Sequence, residues 1–97
     1  MIRHIVTIQF NAEATPAKRQ IMADALAALP GKIPQIKNWT QGFNLQPSER
    51  HYDFALCCDF DTAEDLAAYG PHPAHQAAYL DTIKPIASAL VVVDFEL

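Results

Sequence analysis

Positive charge is scarce in this chain. Its 97 residues hold 7 Lys and Arg against 11 Asp and Glu, a formal net charge of −4. The cations are scattered, so the basic footprint that nucleic acid requires is missing. Long apolar runs are missing too. The longest, "IASALVVV", contains a serine and falls well short of the ~18 residues that mark a membrane span. The opening residues, "MIRHIVTIQF", have no long apolar segment followed by a cleavage site; they read as a strand, not as a signal peptide. The expectation is a soluble cytoplasmic protein with no nucleic-acid or membrane partner.

Cysteine is also sparse. The two are neighbours, Cys57 and Cys58. Adjacent strand residues point to opposite faces, which argues against a disulfide between them, and there is no CxxC redox motif. Both read as small apolar strand residues.

Hydrophobic residues, by contrast, make up 51% of the chain. That composition can fill a core, and the length suits one domain, residues 1–97. A domain this small leaves much surface exposed, and a sheet with two apolar faces then needs a partner chain.

Residues 2–10 alternate: Ile2, His4, Val6, Ile8 and Phe10 share one face, and Arg3, Ile5, Thr7 and Gln9 the other. A helix follows, with Thr15 as N-cap, Pro16 in the first turn and an apolar stripe of Ala17, Ile21, Ala25 and Leu29 with Met22 and Leu26. Pro30-Gly31 is expected to end it. Residues 35–45 read as a second strand, with Gly42 marking a bulge or bend. Residues 51–60 form a third, with Tyr52, Phe54, Leu56, Cys58 and Phe60 on one face and His51, Asp53, Ala55, Cys57 and Asp59 on the other. Thr62 and Asp65 open a helix in the manner of a capping box. Gly70-Pro71 breaks it, and a further helix starts at Pro73 and runs to the region of Pro85, with Tyr79 and Leu80 assigned to the core. Residues 88–97 close the chain as a strand, with Asp94 and Glu96 read as solvated.

This order is βαββαβ, the ferredoxin-like pattern: an α+β fold with helices on one face of a four-stranded antiparallel sheet. The other face would show Ile5, Thr7, Ala55, Cys57 and part of the Val91–Val93 run, too apolar for a wide solvated surface. Two such sheets packed face to face would cover it. A homodimer is the expected assembly.

Three stretches, "IRHIVTIQF", "FALCCDFDTAEDLAAYGPHPAH" and "LVVVDFEL", carry a resemblance to the stress-responsive A/B barrel (Dabb) domain family. It covers essentially the whole chain. Its most specific part is the spacing from Asp59-Phe60 to His72, Pro73, Ala74 and His75. The resemblance implies a dimeric α+β barrel of ferredoxin-like subunits. It implies function only loosely: many members have no assigned activity, some are linked to stress tolerance in plants, and a few are polyketide cyclases that close a ring by an aldol-type condensation.

Four histidines are present, two of them in "YGPHPAHQ". His75 falls in the first turn of a helix, where the dipole disfavours an imidazolium. A neutral ring near pH 7 can accept a proton, as a general base must. Turned toward the sheet, His75 would meet His4 and Tyr69, and a phenol beside an imidazole could remove a proton alpha to a carbonyl and polarise that carbonyl. The resemblance implies the same three positions, since the cyclase members carry a histidine at His75, a tyrosine at Tyr69 and a histidine at His4. They also carry a third-strand pocket histidine where this chain aligns Phe54. That departure makes the pocket more apolar and suited to an aromatic or aliphatic ligand.

The catalytic candidates are therefore His75, Tyr69 and His4, and the ligand-binding candidates are His72 and Phe54. Three readings stay open at this stage: an enzyme of cyclase or isomerase type, a non-catalytic binding or stress-related protein, and a hydrogen-bonded His4–His75 pair with no function beyond the core. A monooxygenase of the same barrel group shares the fold but draws no support from any residue. No cofactor is expected. Nor is a metal, because zinc needs three or four ligands and nothing obvious joins His4. His51 is assigned no chemistry.

Overall fold

The computed structural model describes all residues, 1–97. Strand β1 (Ile2–Phe10) leads into helix α1 (Pro16–Ala27) and a short helix α2 (Leu29–Lys32). Strands β2 (Lys37–Phe43) and β3 (Phe54–Phe60) follow, then helices α3 (Ala63–Tyr69) and α4 (Pro73–Ala78) and strand β4 (Ala87–Glu96). The sheet order is β2-β3-β1-β4, antiparallel throughout. This is the ferredoxin-like α+β fold expected from the element order.

Register follows the period-two pattern. His4 lies between Cys58 of β3 and Asp94 of β4, Val6 between Leu56 and Val92, and Ile8 between Phe54 and Leu90. Val6, Ile8, Phe54, Leu56, Cys58 and Phe60 are buried beneath the helices. The opposite face is bare: Val91 and Val93 are half exposed, and so is Phe95. No helix is long and apolar enough to cross a membrane.

Local signals explain the helix starts. The Thr15 hydroxyl accepts from the Lys18 N–H at 3.3 Å, and the Thr62 hydroxyl from the Asp65 N–H at 3.1 Å. Each offsets one of the unpaired donors of a first turn.

Four local expectations change. The buried stripe of α1 is Met22, Ala23 and Leu26, whereas Ile21 is 59% exposed. Pro30 and Gly31 do not terminate helical structure. Pro30 takes the first turn of α2, where its missing N–H costs nothing. The irregularity in β2 falls at Asn38, with φ of 54°, where the register against β3 shifts, and not at Gly42. Asn is one of the few side chains that tolerate this left-handed backbone. Tyr79 and Leu80 are 36% and 50% exposed, not core.

Their exposure follows from the backbone. After α4 the chain widens into a π turn, Tyr79–Ile83, with the Lys84 N–H bonded to the Tyr79 carbonyl at 2.8 Å. The wider turn rotates Tyr79 out of the core.

The open face carries a tight polar cluster. Asp59, only 1% exposed, accepts from Arg3 Nε at 2.8 Å, Arg3 Nη2 at 3.0 Å and Asn38 Nδ2 at 2.8 Å. These bonds, first from Arg3 and then from Asn38, hold its carboxyl down to about 2. The cluster ties β1, β2 and β3 at the bulge.

Candidate functional site

A cavity of about 500 Å³ lies between the helices and the sheet. The sheet supplies its floor: His4 and Val6 from β1, Leu56 from β3, and Leu90, Val92 and Asp94 from β4. Leu26, Leu66 and Ile83 close it from the helical side. His75, Gln76, Tyr69 and Tyr79 bring its other polar groups. The floor is graded by the register. His4 and Asp94 make a polar row; Val6, Val92 and Leu56 make the next core-facing row and are apolar.

Tyr69 is the last residue of α3 and is 4% exposed. Its ring stands 5.6 Å from that of His4 and 4.3 Å from that of His75. Burial pushes the phenol well above its ordinary range, so it is a hydroxyl donor at neutral pH. That hydroxyl has no partner in the chain and is not sealed off, and Tyr69 lines the cavity.

His75 is set by the loop before it. Its Nδ1 donates to the Gly70 carbonyl at 2.8 Å, and the same oxygen accepts from Gln76 Nε2 at 2.9 Å. A carbonyl only accepts, so the hydrogen sits on Nδ1 and the neutral ring keeps its lone pair on Nε2. Burial is the main influence that lowers the His75 pKa; the Gly70 bond opposes it, and His4 and His72 add to it.

His4 is held from the edge strand. Its Nδ1 donates to Asp94 Oδ1 at 2.5 Å across β1 and β4, with the His4 side chain 10% and the Asp94 side chain 39% exposed. Asp94, read from the sequence as a solvated end residue, is therefore a pocket residue. The register places it: four residues separate it from Leu90, so it shares the core-facing phase of an edge strand. The alternation of β4 was hidden because its centre is apolar in both phases.

His72 and Phe54 do not join this group. His72 caps α4: its Nδ1 accepts from the Ala74 N–H at 3.1 Å. Pro73 holds its backbone extended, at φ −59° and ψ 133°, which aims the ring at the helix end and away from the cavity lining. Phe54 is buried against Phe43, ring centroids 5.1 Å apart. It shares the phase of Leu56, but it pairs with Ile8, two steps from the His4 row. Leu56 is the β3 residue that faces the cavity.

His51 lies outside β3, in the preceding turn, bonded through Nδ1 to Ser48 Oγ. It borders a shallow depression on the open face with Ile5 and Thr7. Cys58 is buried, which with the neighbouring Cys57 pushes its thiol up to about 12; it is not a nucleophile. No three His, Cys, Asp or Glu side chains converge in a way that could hold a metal.

Known proteins resemble this chain in sequence and in fold. An uncharacterised protein of Streptomyces coelicolor is 35% identical over 79 residues, 79% of this chain and 81% of its own. Olivetolic acid cyclase of Cannabis sativa is 23% identical over 96 residues, 97% of this chain and 94% of its own. A dimeric ferredoxin-like protein of unknown function from Thermobifida fusca superposes with a TM-score of 0.88 at 38% identity, covering 99% of this chain and 90% of that one. The stress responsive A/B barrel domain, Dabb, matches residues 2–97, and the chain belongs to that family.

Proposed function

We propose that this chain is a small-molecule enzyme that removes a proton alpha to a carbonyl, in a cyclase-like or isomerase-like reaction. One observation carries the reading: His75, its Nδ1 committed to Gly70, lies in ring contact with a buried Tyr69 whose hydroxyl has no protein partner. In the proposed step the carbonyl oxygen accepts a hydrogen bond from Tyr69. His75 Nε2 takes the alpha proton, and the enolate forms as the imidazolium forms. In a cyclase the enolate carbon then bonds to a second carbonyl carbon, and the proton returns to the new alkoxide. In an isomerase it returns to a different carbon. His4, oriented by Asp94, stands on the other side of Tyr69 and completes the polar end.

The likeness to olivetolic acid cyclase supports this reading. The third strand departs from the cyclase pattern, because Leu56 and not a histidine faces the cavity. His4, Tyr69 and His75 are left as the polar groups around the reacting carbonyl.

The functional unit in this reading is a homodimer closed through the open sheet faces. Ile5, Val91, Val93 and Phe95 form an apolar surface there, and the Thermobifida fusca neighbour is described as dimeric.

Proton exchange tests the chemistry without a known substrate. 2-Acetonaphthone in D₂O, followed by NMR, should lose its methyl protons faster with the protein than in buffer, and the His75→Ala protein should return the rate to background. Saturable binding with no acceleration would replace the enzyme by a binding protein using the same cavity.

A further inference from the structure

We propose that the cavity selects neutral carbonyl compounds and rejects ligands that bring a carboxylate or phosphate into it. This names the substrate class of the site and rests on the reading above.

No lysine or arginine is among the 14 residues that line the cavity. Several of the chain's seven cations are committed elsewhere. Arg3 is bonded to Asp59, Lys37 to Asp61, and Arg19 lies over the Phe10 ring while donating to the Ala14 carbonyl. The imidazoles do not replace them. His4 already shares its Nδ1 hydrogen with Asp94, so the pair carries a net charge of zero or minus one wherever the proton sits. His75 is turned toward its neutral form by burial.

The backbone at this end of the cavity is partly committed as well. His72 occupies the Ala74 N–H at the start of α4, and the loop presents the Gly70 carbonyl, an acceptor, beside His75. An anionic group in this cavity would give up its water without gaining a counter-ion, against the aliphatic side chains of Val6, Leu26, Leu56, Leu66, Leu90 and Val92. A ketone or aldehyde needs only one donor, and Tyr69 supplies it.

Charge conservation through the reaction points the same way. When a neutral substrate gives its proton to His75, the enolate and the imidazolium arise together. The site's net charge is unchanged and the two new charges are adjacent. A substrate with its own carboxylate would leave one negative charge unmatched in every state.

The test is a matched pair at pH 7: 2-acetonaphthone and 2-naphthoate, which share the ring system and differ in charge. Binding is followed by calorimetry and by NMR shifts of the His4, Tyr69 and His75 rings. The ketone should bind at least about tenfold more tightly than the carboxylate, and Asp94→Asn should narrow that gap by admitting the anion. Naphthoate binding as tight as the ketone, with shifts at those rings, would overturn the charge selection and leave the cavity reading intact. If neither compound shifts those rings, the cavity reading falls and the selection falls with it.

Discussion

His75 and Gly70 are joined by a 2.8 Å bond from the imidazole Nδ1 to the backbone carbonyl. The bond assigns the tautomer, and with it the nitrogen that can accept a proton. In "YGPHPAH" the two histidines thus have different tasks: His72 caps the helix through its Nδ1, and His75 keeps Nε2 unprotonated at the cavity.

His75→Ala is expected to lower the catalysed exchange of 2-acetonaphthone by about 10²–10⁴, the usual contribution of a positioned general base. His51→Ala, in the turn before β3, should leave it unchanged. Equal losses in both variants would contradict the assignment of the base.

The His75 ring should titrate below the free-imidazole value of about 6.5. Its folded pKa is lowered, so the folded state favours the neutral form. The associated stability is present above pH ~6.5 and lost as pH falls through the folded value. Two-dimensional NMR of the imidazole carbons across that range reads the midpoint directly; a midpoint at or above ~6.5 removes the base.

Asp94→Asn should alter His4 without unfolding the chain. A hydrogen bond to a carboxylate on a partly exposed edge contributes about 1 kcal/mol, so the melting temperature should drop only slightly. Nitrogen-15 spectra should show His4 moving from a single Nδ1–H form to a mixture of tautomers. An unchanged spectrum would mean that Asp94 does not orient His4.

The Arg3–Asp59–Asn38 cluster predicts an acid limb in stability. Asp59 is held down to about 2, first by the Arg3 hydrogen bonds. Its contribution is therefore present above the unfolded value of ~4 and lost as pH falls from there toward ~2. Urea melts at stepped pH should show a steeper acid decline for the natural protein than for Asp59→Asn, and parallel curves would rule the cluster out as the cause.

Light scattering at micromolar concentration should give twice the chain mass of 10.7 kDa. Val93→Glu with Phe95→Glu, both on the open face of β4, should give folded monomers by circular dichroism and light scattering. A monomeric natural protein would remove the barrel.

The strand phases of β1 and β3, the caps at Thr15 and Thr62, and the element order were legible in the sequence because each depends on neighbours within a few residues. A period of two places His4 and Phe54 on the helix face before any contact is known. The same local logic placed Tyr69 and His75 at the end of one helix and the start of the next. It could not separate Phe54 from Leu56, which have the same phase. Only the pairing of Leu56 with Val6, and of Phe54 with Ile8, puts one at the cavity and the other in the core.

The partner of His4 was likewise beyond local reading. Asp94 is 90 residues away, and the β1–β4 register alone sets them side by side. The exposure of Tyr79 accompanies a π turn that packs against α1 and that no pattern in "YLDTI" announces. Local pattern therefore assigned the faces of β1 and β3, but not those of α1 or β4. Tertiary structure decided which of those residues meet, because strand register and helix placement are settled by core packing between segments far apart in the chain.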